Sequence, residues 1–267
     1  MSRHGATLIE LLVAMAIMLC LVAMLVPGLE LARSHARTAV CSGNQRQLLL
    51  AMVTYDQGSG RLPLGIDLHR KDRPPGGWAG NMMKDPPGWW WFHLLSIPTP
   101  SPGARTILAC PASHLTDPDL RQCPLYGQLG VNWSICRSSK PLGYFNDGFR
   151  GDPCSLDHIR RPSQSLLVVD SGYALIGWPH VTADPPIQLG DKFGYETAYL
   201  PGLAANQQRA LLCSQRPDAT RSRHPEGKVN AGWADGHVAR SSTSQLEVVR
   251  TEQGYINTTP IWVPADR

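Results

Sequence analysis

Gly5-Ala6-Thr7-Leu8-Ile9-Glu10-Leu11-Leu12-Val13 opens an apolar run that continues to Leu29, and the reading of this stretch decides the fold. Of the 24 residues from Ala6 to Leu29, Glu10 alone is charged. At about 1.5 Å of rise per residue, a helix of that length covers the roughly 30 Å hydrocarbon core of a bilayer. Arg3 precedes the run and no acid does, so the bias of basic residues toward the cytoplasmic side places the N-terminus there. Arg33 and Arg37 on the far side weaken that bias modestly. A signal peptide is the competing reading, and it calls for an apolar core of about 7–15 residues followed by an A-x-A-like site. The run here is longer, no such site follows it before the helix continues, and a carboxylate one turn into the segment is foreign to a signal peptide. A glutamate in lipid is costly, so a residue in this place has a partner and a task.

On these residues the chain resembles the type IV pilin and type II secretion pseudopilin family. The resemblance rests on Gly5 followed by Ala6-Thr7-Leu8-Ile9-Glu10-Leu11-Leu12-Val13. It implies that residues 1–5 are a leader, that a prepilin peptidase cuts between Gly5 and Ala6, and that Ala6 becomes the methylated residue. The family usually has Phe at that position, so Ala6 is a departure. The family's glutamate corresponds to Glu10, which is thought to pair with the N-terminal ammonium of a neighbouring subunit. The charges make physical sense of that role: cleavage puts a cation at Ala6, four positions from the Glu10 anion, in a medium that penalises either charge alone.

The helix is expected to continue beyond the membrane segment (6–29) through residues 30–58. Cys41, Asn44, Leu48, Met52 and Tyr55 recur at steps of three and four and mark one face, with Arg33, Arg37 and Arg46 mostly off it. Pro27-Gly28 predicts a kink or a locally melted turn, and Gly58-Ser59-Gly60 a stop.

From residue 59 to 267 the text changes to short apolar or alternating runs between Pro and Gly clusters, which predicts a head built on an antiparallel β-sheet with long loop insertions. The fold class expected is therefore α+β and pilin-like: one long helix packed on a C-terminal sheet. Strands are expected at Ser165–Val169, Lys228–Trp233 and His237–Ala239, while Leu246–Arg250 reads equally as helix or strand. Asp235-Gly236 between two apolar runs is a hairpin signal, because Gly readily supplies positive φ. The segment 223–240 is similar to the prepilin-associated H-x9-DG motif of large pseudopilin-like proteins, with His224, Asp235 and Gly236 in its key places. Ten residues rather than nine separate His224 from Asp235, and an extra residue near Pro225–Gly227 accounts for that.

Outside the membrane segment, which holds Cys20, stand six cysteines: Cys41, Cys110, Cys123, Cys136, Cys154 and Cys213. An even number fits up to three disulfides in an oxidising compartment, with fifteen connectivities open. His224, Asp235 and His237 are metal-ligating types, but their spacing dictates no metal geometry, so the expectation is a turn aspartate, hydrogen-bonded histidines and no metal or other cofactor. Asp184, Asp191 and Glu196 lack the spacing of a calcium loop. Trp89-Trp90-Trp91-Phe92 reads first as packing, then as partner contact, then as a sugar platform. Asp170-Ser171-Gly172 with His224 lacks the G-x-S-x-G elbow of a hydrolase, so no catalytic set is expected. The net charge of +4 is spread thinly, without a basic face for nucleic acid.

The functional expectation is a structural pilin or pseudopilin subunit, minor or specialised, of a type II secretion-like or type IV pilus-like filament. Its expected partners are other such subunits, the prepilin peptidase and the bacterial inner membrane, which it crosses once with the head in the periplasm. The alternative is a membrane-tethered periplasmic binding module for a glycan or a secreted protein.

Overall fold

The computed structural model describes residues 7–79, 86–98, 106–140, 149–183, 198–209, 211 and 213–264. Helix α1 spans Leu8–Ser59, 52 residues without a break. Its N-terminus is closed by a capping box: Thr7 Oγ1 accepts from the Glu10 N–H, and the Glu10 carboxylate accepts from the Thr7 N–H at 2.8 Å. Its C-terminus stops at Gly60, which takes φ +72° and donates its N–H to Asp56 O at 2.7 Å, a left-handed cap that glycine adopts without strain. The expected stop is in place. Of the two outcomes expected at Pro27-Gly28, a kink or a melted turn, the melted turn is not seen, since the helix runs through Pro27.

The two halves of α1 have opposite surroundings. Its first half presents apolar side chains to the outside on every face, with Leu8 76% and Met24 77% exposed. It is the one helix among the described residues long and apolar enough to cross a membrane. The second half buries Thr38, Cys41, Gln45, Leu48, Leu49, Met52 and Asp56 against the head. Cys41, Leu48 and Met52 were legible as a stripe, while Asn44 and Tyr55 lie at its margin.

The strands are β1 (Ile66–Asp67), β2 (Trp89–Trp90), β3 (Leu129–Asn132), β4 (Leu166–Asp170), β5 (Leu175–Ile176), β6 (Lys228–Trp233), β7 (Val238–Ser242), β8 (Val249–Thr251) and β9 (Gly254–Ile256). The main sheet has the order β5-β3-β4-β6-β7. It is antiparallel from β3 to β7, but β5 joins β3 in parallel, so the sheet is mixed rather than purely antiparallel. The reason is local: after β4 the chain crosses above Gly130, where a Cβ would stand 2.5 Å from Tyr173 O, and returns along the far edge of β3. The hairpin expected at Asp235-Gly236 is present, with Gly236 at φ +90° between β6 and β7. The undecided segment divides: residues 243–246 form a short helix, and Val249 begins β8.

Both faces of β4 are covered, which explains a continuous apolar run instead of alternation. On one side Leu48, Leu49 and Met52 of α1 pack with Val168, Trp91, Phe92 and Leu129. On the other, Leu166, Val169, Val229 and Ala231 meet Trp262, Leu246 and Leu200. Helix α1 lies against β6, β4 and β7, and it comes close because Gly232 has no Cβ, which would stand 2.9 Å from Leu49. The tryptophan run leaves its strand after Trp90 and turns into a short helix at Trp91–Leu94, so Trp90, Trp91 and Phe92 are all buried, and Trp89 lies half-exposed with Arg70 4.4 Å over its ring.

Replacing Leu48 by Ala should destabilise the head by about 2–5 kcal/mol, whereas the exposed Leu50→Ala should stay within about 0.5 kcal/mol, in denaturant titrations of the detergent-solubilised chain. His93 gives a second test. It is buried, its Nδ1 accepts from the Trp90 N–H, and burial holds its pKa down to about 4. A folded pKa below the unfolded value of about 6.5 means stability present above that pH and lost on acidification toward 4, by at most about 1.4 kcal/mol per pH unit. The drop between pH 7 and 4.5 should shrink in His93→Gln.

Candidate functional site

Two places concentrate polar chemistry. The first is the start of α1. Gly5 and Ala6, the expected processing site, lie outside the described residues. Thr7 and Glu10 are described, and both bonds from Thr7 end on the same Glu10 oxygen, Oε2, at 2.8 and 3.0 Å. A carboxylate has capacity for further donors, so capping its own helix does not exhaust Glu10.

The second place is deep in the head, around His224. His224, Asp235 and Gly236 are not brought together. They flank β6 at opposite ends, His224 buried before it and Asp235 exposed after it. Asp235 serves the hairpin, where its Oδ1 accepts from the His237 N–H at 3.1 Å and lies 2.5 Å from His237 Nδ1. Before β6, Pro225–Gly227 forms a tight turn with Glu226 at φ +65° and Gly227 at φ +70°. That turn aims His224 inward, and its imidazole meets residues from three other parts of the chain.

The partners are Asp170 at the end of β4, Cys41 on α1 and Cys110 in the loop before β3. His224 Nε2 lies 3.0 Å from Asp170 Oδ2 and 4.0 Å from Cys110 Sγ, and Cys41 Sγ donates to Asp170 Oδ1 at 3.2 Å. All four side chains are buried, and their ligand-type atoms lie within 4.8 Å of one another. Asn230 on β6 completes the shell: its N–H donates to Asp170 Oδ2 at 2.7 Å, and its Nδ2 lies 3.1 Å from His224 Nε2. On the other side of the ring, His224 Nδ1 lies 3.1 Å from Thr38 Oγ1. Sequence reasoning set Asp170 beside His224 only as a rejected hydrolase set, and it read Cys41 and Cys110 as disulfide candidates because the cysteine count is even.

Behind the cluster stands Arg223, fully buried, with Nη1 4.0 Å from Asp170 Oδ1. Its main partner is Asp218, at 2.5 Å from Nη2 and 3.1 Å from Nε, and its remaining donors go to Gln128 O and Ser171 O. Asp218 also accepts from the His114 N–H and the Tyr199 hydroxyl. The fork of Arg223 thus ties β4, the loop before β3 and the segment before β6 together.

These neighbours set the ionisation of the cluster. Burial opposes a charge on His224, but the bond and charge of Asp170, with Cys110, raise its pKa to about 9. Burial likewise opposes ionisation of Asp170, and bonding to His224 with the Arg223 charge outweighs it and keeps the carboxyl below its usual range. The hydrogen bond with Cys110, then burial and the Asp170 charge, hold the Cys41 thiol well above the usual range. For Cys110, burial works upward, while Cys41, His224 and Arg223 bring it down to about 7.

The expected disulfides among Cys41, Cys110, Cys123, Cys136, Cys154 and Cys213 are not formed in the described residues. Cys41 and Cys110 do meet, but with Asp170 and His224 rather than as an isolated pair. Cys136 is a buried thiol whose pKa burial pushes far up, Cys123 and Cys154 are half-buried in the core margin, and Cys213 is exposed.

Residues 1–26 match the family described as the prokaryotic N-terminal methylation motif. This supports a prepilin-like chain handled by a prepilin peptidase, anchored through its N-terminal apolar helix. No curated protein and no solved structure matches the chain.

The Arg223–Asp218 pair yields a stability test. Asp218→Asn leaves a buried guanidinium short of its counter-charge and should cost about 3–5 kcal/mol. Adding Arg223→Met should recover part of that loss, which a double-mutant cycle in denaturant would read as a favourable coupling.

Proposed function

We propose that this chain is a structural subunit, minor or specialised, of a type II secretion-like or type IV pilus-like filament. In this reading a prepilin peptidase cuts it between Gly5 and Ala6. The observation that carries the reading is the methylation motif joined to a 52-residue helix whose first half has no partner among the described residues. An apolar cylinder exposed on every face has two solvents available to it, lipid before assembly and the helices of sister subunits after it. The second half of the same rigid helix carries the head, so bundling the first halves arrays the heads outside.

Glu10 acts in this scheme as the assembly residue. Its carboxylate caps its own helix through Oε2 and retains capacity for the ammonium of a neighbour's mature N-terminus. The segment 223–240 serves the head as an H-x9-DG-like unit, in which His224 reaches into the core, the turn at Pro225–Gly227 takes up the extra residue, and Asp235-Gly236 closes the hairpin. The large, loop-rich head favours a minor or specialised place over the main repeating subunit, where close helical stacking demands a compact head. The tethered binding module gains little from the tryptophan run, three of whose four aromatic residues are buried.

The test is the N-terminal peptide mass of protein purified from native membranes. The expected mature start is Ala6 carrying about 14 Da for one methyl group, with processing lost in Gly5→Ala. Glu10→Val should be processed normally yet fail to crosslink to sister subunits. An uncut start at Met1, or a cut after the apolar run, would overturn the proposal and leave a tethered or secreted module.

A further inference from the structure

We propose that Cys41, Cys110, Asp170 and His224 form a tetrahedral site for one thiophilic divalent cation, zinc by preference, which clamps α1 onto the head. The inference rests on the buried cluster alone and is independent of the filament reading.

The donor set is the first ground. Two thiols, an imidazole and a carboxylate are the side chains that zinc selects, and the sulfurs argue against calcium or magnesium. Spacing is the second. In a tetrahedral zinc centre with bonds of about 2.0–2.3 Å, donor atoms stand about 3.3–3.8 Å apart. Here His224 Nε2 lies 3.0 Å from Asp170 Oδ2 and 4.0 Å from Cys110 Sγ, Cys41 Sγ lies 3.2 Å from the other carboxylate oxygen, Oδ1, and one ligand atom from each of the four residues lies within 4.8 Å of the rest. The four come from widely separated parts of the chain, with Cys41 and Asp170 129 residues apart and Cys110 and His224 114 apart. Closing such loops on one buried point is what a structural ion does for a head rich in irregular segments.

Hydrogen bonding gives the third ground. The Thr38 hydroxyl donates its one proton to Ser34 O at 2.9 Å, so toward His224 Nδ1 it acts as an acceptor. The ring therefore carries a proton on Nδ1. The Asn230 amide is oriented by Thr38 O, an acceptor 3.3 Å from Nδ2, and the same amide nitrogen faces His224 Nε2. A donor facing Nε2 asks for a lone pair there, yet Asp170 Oδ2, an acceptor, stands 3.0 Å away and asks for a proton. A proton on Nε2 satisfies the aspartate and opposes the amide. A cation between Nε2 and the carboxylate accepts electron pairs from both and removes the conflict. Thr38 and the Asn230 N–H then act as the outer partners that orient the histidine and the carboxylate.

Charge gives the fourth. Two thiolates and a carboxylate exceed the charge of a divalent ion by one, and Arg223, 4.0 Å from Asp170 and shared with its main partner Asp218, offsets part of the excess. Binding displaces the Nε2 proton of His224 and the thiol protons of Cys41 and Cys110, which leave to solvent as the site forms.

The experiment uses the full chain in detergent, purified without chelators or metal-affinity resin, with metals counted by mass spectrometry and cysteine pairing by peptide mapping. The expected result is one zinc per chain with Cys41 and Cys110 as thiols, and loss of that zinc in Cys110→Ser and His224→Gln. Thr38→Val keeps every ligand and should hold the metal about 10–100-fold more weakly in chelator competition. If the ligand variants do not fold, cobalt decides on the wild-type chain: uptake should give a sulfur-to-cobalt charge-transfer band and the visible bands of a tetrahedral ion. A native chain without stoichiometric metal that gives no such bands, a Cys41–Cys110 disulfide, or zinc undiminished in a folded Cys110→Ser would each overturn the proposal.

Discussion

The carboxylate of Asp170 is the constraint on which the head depends. It ends the central strand, is fully buried, and must have each oxygen engaged because a buried anion without partners is heavily penalised. Its partners reach it from every layer: the Asn230 N–H from the neighbouring strand, Cys41 from the helix, and His224 with Arg223 from the segment entering β6. Each fixes a relation that apolar packing leaves loose. Leu48, Leu49 and Met52 would tolerate small slides of α1 along the sheet, whereas Cys41 at Asp170 and Gln45 donating to Asn230 O at 3.1 Å set one register.

That register matters because α1 is a single rod with two environments. Its outer half presents apolar side chains on every face, and its inner half is a component of the head's core. A force or a packing partner at Leu8 therefore acts on the sheet through continuous helix, without a flexible joint between anchor and head. The polar stitches along the inner half, from Thr38 through Asn44 to Asp56, distribute the attachment over about five turns.

Irregular segments make up much of the rest, and their order comes from side-chain to backbone bonds more than from sheet. Trp91 donates to Ala174 O, Asn132 to Leu166 O and Trp262 O, and Trp262 to Leu246 O. Arg223 does the same at the centre, with two carbonyls and one carboxylate on a single guanidinium. A mixed sheet of short strands needs such ties because its ladders are brief.

The division between sequence and tertiary structure follows from the range of the forces involved. The long helix, its stop at Gly58-Ser59-Gly60, its apolar half, strands β4 and β6 and the Asp235-Gly236 hairpin were legible, because each is set by neighbours within a few residues: an apolar run, a glycine cluster, a glycine at positive φ. The parallel edge strand β5 was not, since it depends on Gly130 letting a distant loop pass above it. Nor was the company of His224. The sequence placed it in a motif with Asp235, while the fold sends the two to opposite ends of one strand and sets His224 beside Asp170, Cys41 and Cys110. Cysteine count cannot separate a disulfide from a buried thiol cluster, because pairing is decided by where four segments, more than a hundred residues apart at the extremes, are carried by the sheet and the helix. By itself the sequence determined an anchored helix with a β-rich head. Only the tertiary structure decided which polar side chains are buried together, because burial of charge is a property of the packed whole.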